Sequence, residues 1–287
     1  MTVRDLVLPT VLEQPYVRWL GVDAIRGEAP ELRVSLPYRE DNSNLGGTLH
    51  GGVLASLVII AARAAAVQAM AGARDADVQL VGLTVQYLGA VSRQDVEARA
   101  QVLRTGRNLC FIGVEVLDGS GQRVTQAQAT LRVAAEVAAE SCDPPRDEVI
   151  VPAAEREPSG IARMITRMGF ISRLGIGIDL MAEGEAALRL PWRSELSDGR
   201  GRHHDGALAA LFDTTGAMSA FAMGNASGMK AVTPALHLAV LGDSRGQGLH
   251  GYARTLWQRD ELYVCEVRIC ASDGSVCARG DLIYRIT

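Results

Sequence analysis

Two stretches of the chain hold residue types that could do chemistry. The first is Asn44-Leu45-Gly46-Gly47-Thr48-Leu49-His50-Gly51-Gly52, which runs directly into a long apolar segment. If that segment is a helix, the first N–H groups have no intrahelical partner and stand at its positive end, where they suit an oxyanion. Gly51 and Gly52 lack side chains, so a carbonyl group can approach that backbone closely. Donors of this kind contribute about 3–4 kcal/mol to an acyl-transfer transition state. The same glycines also fit a tight turn with close helix packing, and the loop alone does not choose. The second stretch is Ala207-Leu208-Ala209-Ala210-Leu211-Phe212-Asp213, a carboxylate within an apolar run. Burial there is costly and raises the pKa, which fits a general base or a nucleophile. The bland alternative is an aspartate satisfied by Thr214 or a nearby backbone group. Thr233, before Pro234, is either a hydroxyl partner for such a carboxylate or an ordinary strand residue.

The elements that position these residues come in two copies. Leu36-Pro37-Tyr38-Arg39 recurs as Leu190-Pro191-Trp192-Arg193, an offset of 154. At that offset His50-Gly51-Gly52-Val53-Leu54-Ala55 falls on His204-Asp205-Gly206-Ala207-Leu208-Ala209, and Leu20-Gly21-Val22 on Leu174-Gly175-Ile176. Downstream the offset drops by one, pairing Leu83 with Leu236, Leu109 with Leu262 and Gly121 with Gly274. The chain is a duplication. Residues 1–138 form the first unit and 161–287 the second; 139–160, with Pro144, Pro145, Pro152 and Pro158, reads as a linker.

Each half has a short strand (near 32–36 and 186–190), the Gly-rich loop, and a helix over Gly52 to about Ala71 or Gly206 to about Met223. Both helices are apolar nearly all round and should be buried. Four strand-like runs follow in each half: 78–88, 96–103, 109–117 and 123–133, then 232–241, 249–257, 262–271 and 276–286. Asp118-Gly119-Ser120-Gly121 and Ser272-Asp273-Gly274-Ser275 read as hairpin turns. Strand, buried helix and antiparallel meander together make each half α+β.

With the Asn, the His-Gly-Gly six residues on, the long helix and the duplication in place, the chain resembles the hotdog-fold acyl-CoA thioesterases of the PaaI type. The resemblance covers roughly 15–133 and 168–287. It implies a double hotdog, two long central helices wrapped by one continuous antiparallel sheet. It also implies an acyl-CoA substrate, so that CoA belongs to the substrate and no separate cofactor is required. In that family a site takes the Asn and His-Gly-Gly backbone from one hotdog, and a carboxylate with a Ser or Thr from the other.

Departures from this pattern are complementary. The first half has Ile59 at the carboxylate position and Leu80 at the hydroxyl position, while the second has Asp213 and Thr233. The second half in turn has Asp198 for the Asn and His204-Asp205-Gly206 for the loop. The resemblance therefore implies one composite site, Asn44, His50, Gly51 and Gly52 meeting Asp213 and Thr233. Asp213 would act on the thioester carbonyl as base or nucleophile, and Gly51 N–H would bind the carbonyl oxygen, helped by Gly52. Asn44 would orient Asp213 or the water, and Thr233 would bond either. His50 would bond near the carbonyl or simply fix its loop.

Composition bounds the rest. At 287 residues, with 48% hydrophobic and 22% charged, the chain is an ordinary globular sequence of about two units. A net charge of −4 argues against nucleic acid as a partner, and 28 of the 29 cations are arginine, Lys230 being the exception. Five scattered cysteines (Cys110, Cys142, Cys265, Cys270, Cys277) without a CxxC pair point to a reducing, cytoplasmic setting. Arg63 and Gln68 interrupt the most apolar run, so no membrane span is expected. His237 and His250 have no ligand spacing, so no metal is expected either. A homodimer of double-hotdog chains is compatible with the resemblance. Two rivals stand beside thioester hydrolysis: a hotdog enoyl-CoA hydratase or dehydratase using Asp198 and His203, and a degenerate duplicate that binds acyl-CoA without turning it over.

Overall fold

The computed structural model describes residues 7–28, 31–70, 78–133, 160–167, 169–224 and 230–287. The first half contains α1 (Val7–Leu12), α2 (Pro15–Leu20), β1 (Ala24–Glu28), β2 (Glu31–Leu36) and the long helix α3 (Gly51–Ala69). Strands β3 (Val78–Tyr87), β4 (Val96–Thr105), β5 (Leu109–Asp118) and β6 (Arg123–Val133) follow. The second half repeats the order with α4 (Gly160–Ile165), α5 (Gly169–Leu174), β7 (Gly177–Ala182), β8 (Glu185–Leu190) and α6 (Asp205–Phe221). It closes with β9 (Ala231–Val240), β10 (Leu249–Arg259), β11 (Leu262–Ala271) and β12 (Val276–Ile286). Of the expected linker only Gly160 is among the described residues, and Cys142 lies outside them.

All twelve strands join one sheet in the order β1-β2-β4-β5-β6-β3-β9-β12-β11-β10-β8-β7. Every pairing is antiparallel, and the halves meet at β3 and β9. Leu83 opposes Leu238 and Val85 opposes Leu236 about a central Thr84–His237 pair, so a pseudo-two-fold axis passes through the seam. Gly121 and Gly274 both have φ of +85°, the left-handed geometry that the two hairpin turns require.

The helices lie inside this wrap. In α3 every residue from Gly52 to Val67 is buried, Arg63 included; in α6 so is every residue from Gly206 to Ala220, Asp213 included. By length and hydropathy α3 is apolar enough to cross a bilayer, yet its apolar surface is covered by β2 to β6 and by α6. Where the helices cross, no side chain fits. A Cβ on Gly52 would stand 2.8 Å from Ala210 Cα, and one on Gly206 2.8 Å from Ser56 Oγ. Both glycines are required by the crossing.

Six elements were not anticipated: α1, α2, α4, α5 and the edge strands β1 and β7. Two of them bear on the site. The Tyr16 N–H in α2 donates to Ser197 O at 3.1 Å, and the Phe170 N–H in α5 donates to Ser43 O at 3.2 Å. Each short helix is thus laid over the Gly-rich loop of the other half. Tyr16 stacks on His204 with ring centroids 4.8 Å apart, and Phe170 meets His50 at 5.3 Å.

Candidate active site

Both long helices begin the same way. His50 precedes α3 with φ −68° and ψ 142°, and its Nδ1 accepts the Gly52 N–H at 2.9 Å. His204 does the same for Gly206, also at 2.9 Å. Each histidine is a helix N-cap. Since Nδ1 is an acceptor, the neutral His50 ring carries its proton on Nε2, and burial lowers its pKa. This geometry corrects the part expected of Gly52 and selects the packing role that the loop sequence left open. Gly52 N–H is already taken by His50 and also bears on Asp213, so it is no free donor for a carbonyl oxygen. Gly52 itself is fixed by the helix crossing. Gly51, at the first helical position, has no intrahelical acceptor for its N–H.

Asp213 comes to this point from the other half. The residue is 4% exposed, and Oδ1 accepts the Thr233 hydroxyl at 2.7 Å. Oδ2 faces Gly51 so closely that a Cβ there would lie 2.8 Å away. His50 Nδ1 lies 3.8 Å from Oδ2, beyond hydrogen-bond range. Burial raises the Asp213 pKa; His50, the Thr233 hydroxyl and the Gly52 N–H oppose it. The result is a desolvated carboxylate with Oδ1 held by Thr233 and Oδ2 set against Gly51 at the start of α3, where the Gly52 N–H also bears on it.

Asn44 is half-buried in the loop. Its N–H donates to Thr48 O at 2.7 Å and its carbonyl accepts from Gly47 N–H. Among the described residues its side-chain amide makes no hydrogen bond to Asp213, so of its two expected partners, Asp213 and the water, the first is not contacted directly.

Sequence reasoning missed two tyrosines. The Tyr87 hydroxyl, from β3, donates to the Gly51 carbonyl at 3.1 Å. Burial and the Asp213 charge together push its pKa well up. Tyr284, from β12, is shifted the same way by burial and Asp213. A tyrosine in a strand looks like ordinary β-propensity. The available signal was the duplication, since at the offset of 153 their counterparts are Val240 and Leu131.

The symmetric position lacks this polar set. There Ile59 and Leu80 stand at the positions of Asp213 and Thr233, both buried. Asp205, in place of Gly51, pairs with Arg63 at 3.0 Å, and Arg63 also donates to Val78 O at 2.9 Å. A cavity of about 260 Å³ opens here, lined in part by Arg63, Asp205, Arg202, Ser244 and Arg245. Asp198 is held by Arg202 at 2.7 Å and by the Arg200 and Arg202 N–H groups. Although burial alone would raise its pKa, these partners hold it below the ordinary value. His203 Nδ1 meets Ser244 Oγ at 3.0 Å, and burial lowers its pKa to about 4. Asp198 and His203 thus each have a separate structural partner.

A family model for the N-terminal domain of acyl-CoA thioesterases matches residues 38–132. A candidate esterase of Halobacterium salinarum is 30% identical over 115 residues, which span 39% of this chain and 76% of that protein. A second, from Saccharolobus solfataricus, is 29% identical over 106 residues, 37% of this chain and 73% of that protein. The fold of the whole chain is similar to the tesB protein of Mycobacterium avium subspecies paratuberculosis, with a TM-score of 0.65 and 12% identity over 98% of this chain and 99% of that one. It is also similar to acyl-CoA thioesterase II of Mycobacterium marinum, with a TM-score of 0.62 and 12% identity over 98% of each chain. At such identities these two likenesses concern the fold.

Proposed function

The chain belongs to the hotdog-fold acyl-CoA thioesterases, and from that premise we propose that it hydrolyses an acyl-CoA to the free acid and CoA at one composite site per chain. The observation that carries this reading is the meeting of Asp213 with Gly51. A buried carboxylate of one half faces the helix start of the other, and the symmetric place holds Ile59.

The thioester carbonyl oxygen takes the Gly51 N–H, whose charge complementarity grows as the oxyanion forms. Asp213, ionised, accepts a proton from water while the water oxygen bonds the carbonyl carbon. Collapse of the tetrahedral intermediate breaks the C–S bond and returns that proton to the departing thiolate. In the covalent variant Asp213 itself bonds the carbon and the C–S bond breaks, CoA leaving as thiolate. Water then cleaves the mixed anhydride to the free acid and the Asp213 carboxylate, and its proton goes to the thiolate. Thr233 keeps Asp213 oriented in both. The Asn44 amide is left to meet water or substrate. His50 caps the helix and thereby holds the loop. A homodimer of such chains belongs to this proposal, and light scattering tests it against the 30.6 kDa of one chain.

A second reading has one observation in its favour. The cavity of about 260 Å³ lies at the symmetric position, where Ile59 replaces Asp213, as acyl-CoA binding without turnover would need. Thiol release from a panel of acyl-CoAs separates the readings, comparing wild type with Asp213→Asn and Asp198→Asn. Activity lost only in Asp213→Asn supports the composite site. Loss in Asp198→Asn alone moves the chemistry to the symmetric position, and no release from wild type supports binding or hydration.

A further inference from the structure

Gly51 has no side chain, so its orientation depends on what holds its backbone. Beyond the helix's own bonding, two hydrogen bonds hold the peptide unit between Gly51 and Gly52. At one end the Gly52 N–H reaches His50 Nδ1 at 2.9 Å, and at the other the Gly51 carbonyl accepts the Tyr87 hydroxyl at 3.1 Å. The Tyr87 ring also packs against this residue, with Cζ 3.7 Å from where a Gly51 Cβ would stand.

The duplication separates the two clamps. The histidine clamp is present at both helix starts, including the one that faces Ile59 in place of Asp213, where Gly206 N–H reaches His204 Nδ1 at 2.9 Å. The tyrosine clamp is present only beside Asp213, because its counterpart Val240 has no hydroxyl to offer. A bond retained on both sides belongs to the helix start as such. One retained only beside the carboxylate tracks the chemistry. Strand pairing gives the two sides equivalent geometry: Tyr87 opposes Thr125 and Val240 opposes Ala278, positions related by the same offset of 153.

We propose that Tyr87 is a positioning residue, which, on the composite-site reading above, holds Gly51 so that its N–H and Asp213 face one carbonyl group. It acts through the Gly51 carbonyl and is not itself a proton carrier. Its loss should therefore slow the chemical step without weakening ground-state binding.

The test is Tyr87→Phe, which keeps the ring and removes the hydroxyl, assayed by thiol release on the best acyl-CoA of the panel. The expected result is a fall in kcat of about three- to ten-fold, as one neutral hydrogen bond provides, with KM near the wild-type value. The acid limb of the pH profile should stay in place, and the melting temperature should stay close to that of wild type. Wild-type kcat in Tyr87→Phe, with Asp213→Asn inactive, overturns this inference and leaves the composite site standing. So does a loss expressed in KM or in the pH limb, which would make Tyr87 a binding group or a modulator of Asp213. Full activity in Asp213→Asn removes the site itself, and the inference with it.

Discussion

Replacing Thr233 by Val tests the electrostatics of the site most directly. The Thr233 hydroxyl donates to Asp213 Oδ1 at 2.7 Å in a buried setting. A hydrogen bond to a charged acceptor contributes about 1.5–3 kcal/mol, and it favours the ionised carboxylate over the neutral acid. At about 1.4 kcal/mol per unit, its loss should raise the Asp213 pKa by roughly one to two units. Burial already raises that pKa, and Val removes one of the three groups that oppose the shift. Either role of Asp213 requires the ionised form, so activity is present above its pKa and lost as pH falls through it. The acid limb of kcat/KM against pH should therefore move toward neutral by about one to two units. Well above the limb the rate should recover much of its wild-type value. The assay is thiol release across pH 4–9 in constant-ionic-strength buffer. An unmoved limb, with activity scaled down equally at every pH, would refute the claim that Thr233 acts by holding the charged Asp213.

Asp213→Asn should abolish turnover, with a loss of about a hundred-fold or more, and should also raise the melting temperature at neutral pH. The sign follows from linkage: a carboxyl whose folded pKa is raised contributes stability below its unfolded pKa of about 4 and loses it as pH rises through the folded value. The gap between the two melting curves should therefore close at acid pH. His50→Asn supplies another good N-cap and should retain most activity, as His204→Asn should retain stability; a hundred-fold loss in His50→Asn with an intact fold would put the imidazole into the chemistry. Arg63→Met removes the donor that Asp205 and Val78 O share, and should cost about 3 kcal/mol in a denaturant titration. Adding Asp205→Gly should recover much of that loss, and kcat should be unaffected throughout because the pair lies at the symmetric position, where Ile59 stands in place of Asp213.

The large elements were legible because their signals are long. Two runs of buried apolar residues and eight strands of ten or eleven residues left periodicity that could be counted, and the duplication checked each assignment against its twin. The short elements were not. A six-residue helix such as α2 or α5 offers less than two turns of pattern, and β1, Ala-Ile-Arg-Gly-Glu, alternates too weakly to read. Yet α5 is what lays Phe170 against His50. Within the site, the meeting of the loop of one half with the helix of the other could be inferred, since each half kept what the other had lost. Finer points depended on geometry that spacing does not encode. Gly52 N–H is taken by His50, and Asn44 stands without a bond to Asp213. Arg63, first visible only as a break in an apolar run, folds back to pair with an aspartate 142 residues away.

The seam between β3 and β9 has a kinetic consequence. Two separate hotdogs that pair along such a seam present two identical sites, and binding at one can be felt at the other through the shared strands. Here the covalent joining of the halves has been accompanied by Ile59 on one side and Asp213 on the other, so the proposed site has no twin within the chain. Homotropic cooperativity needs at least two coupled sites. Saturation by substrate within a single chain should be hyperbolic, with a Hill coefficient of one, and a tight-binding transition-state analogue should titrate to one equivalent. Any sigmoidal response would then have to arise between chains.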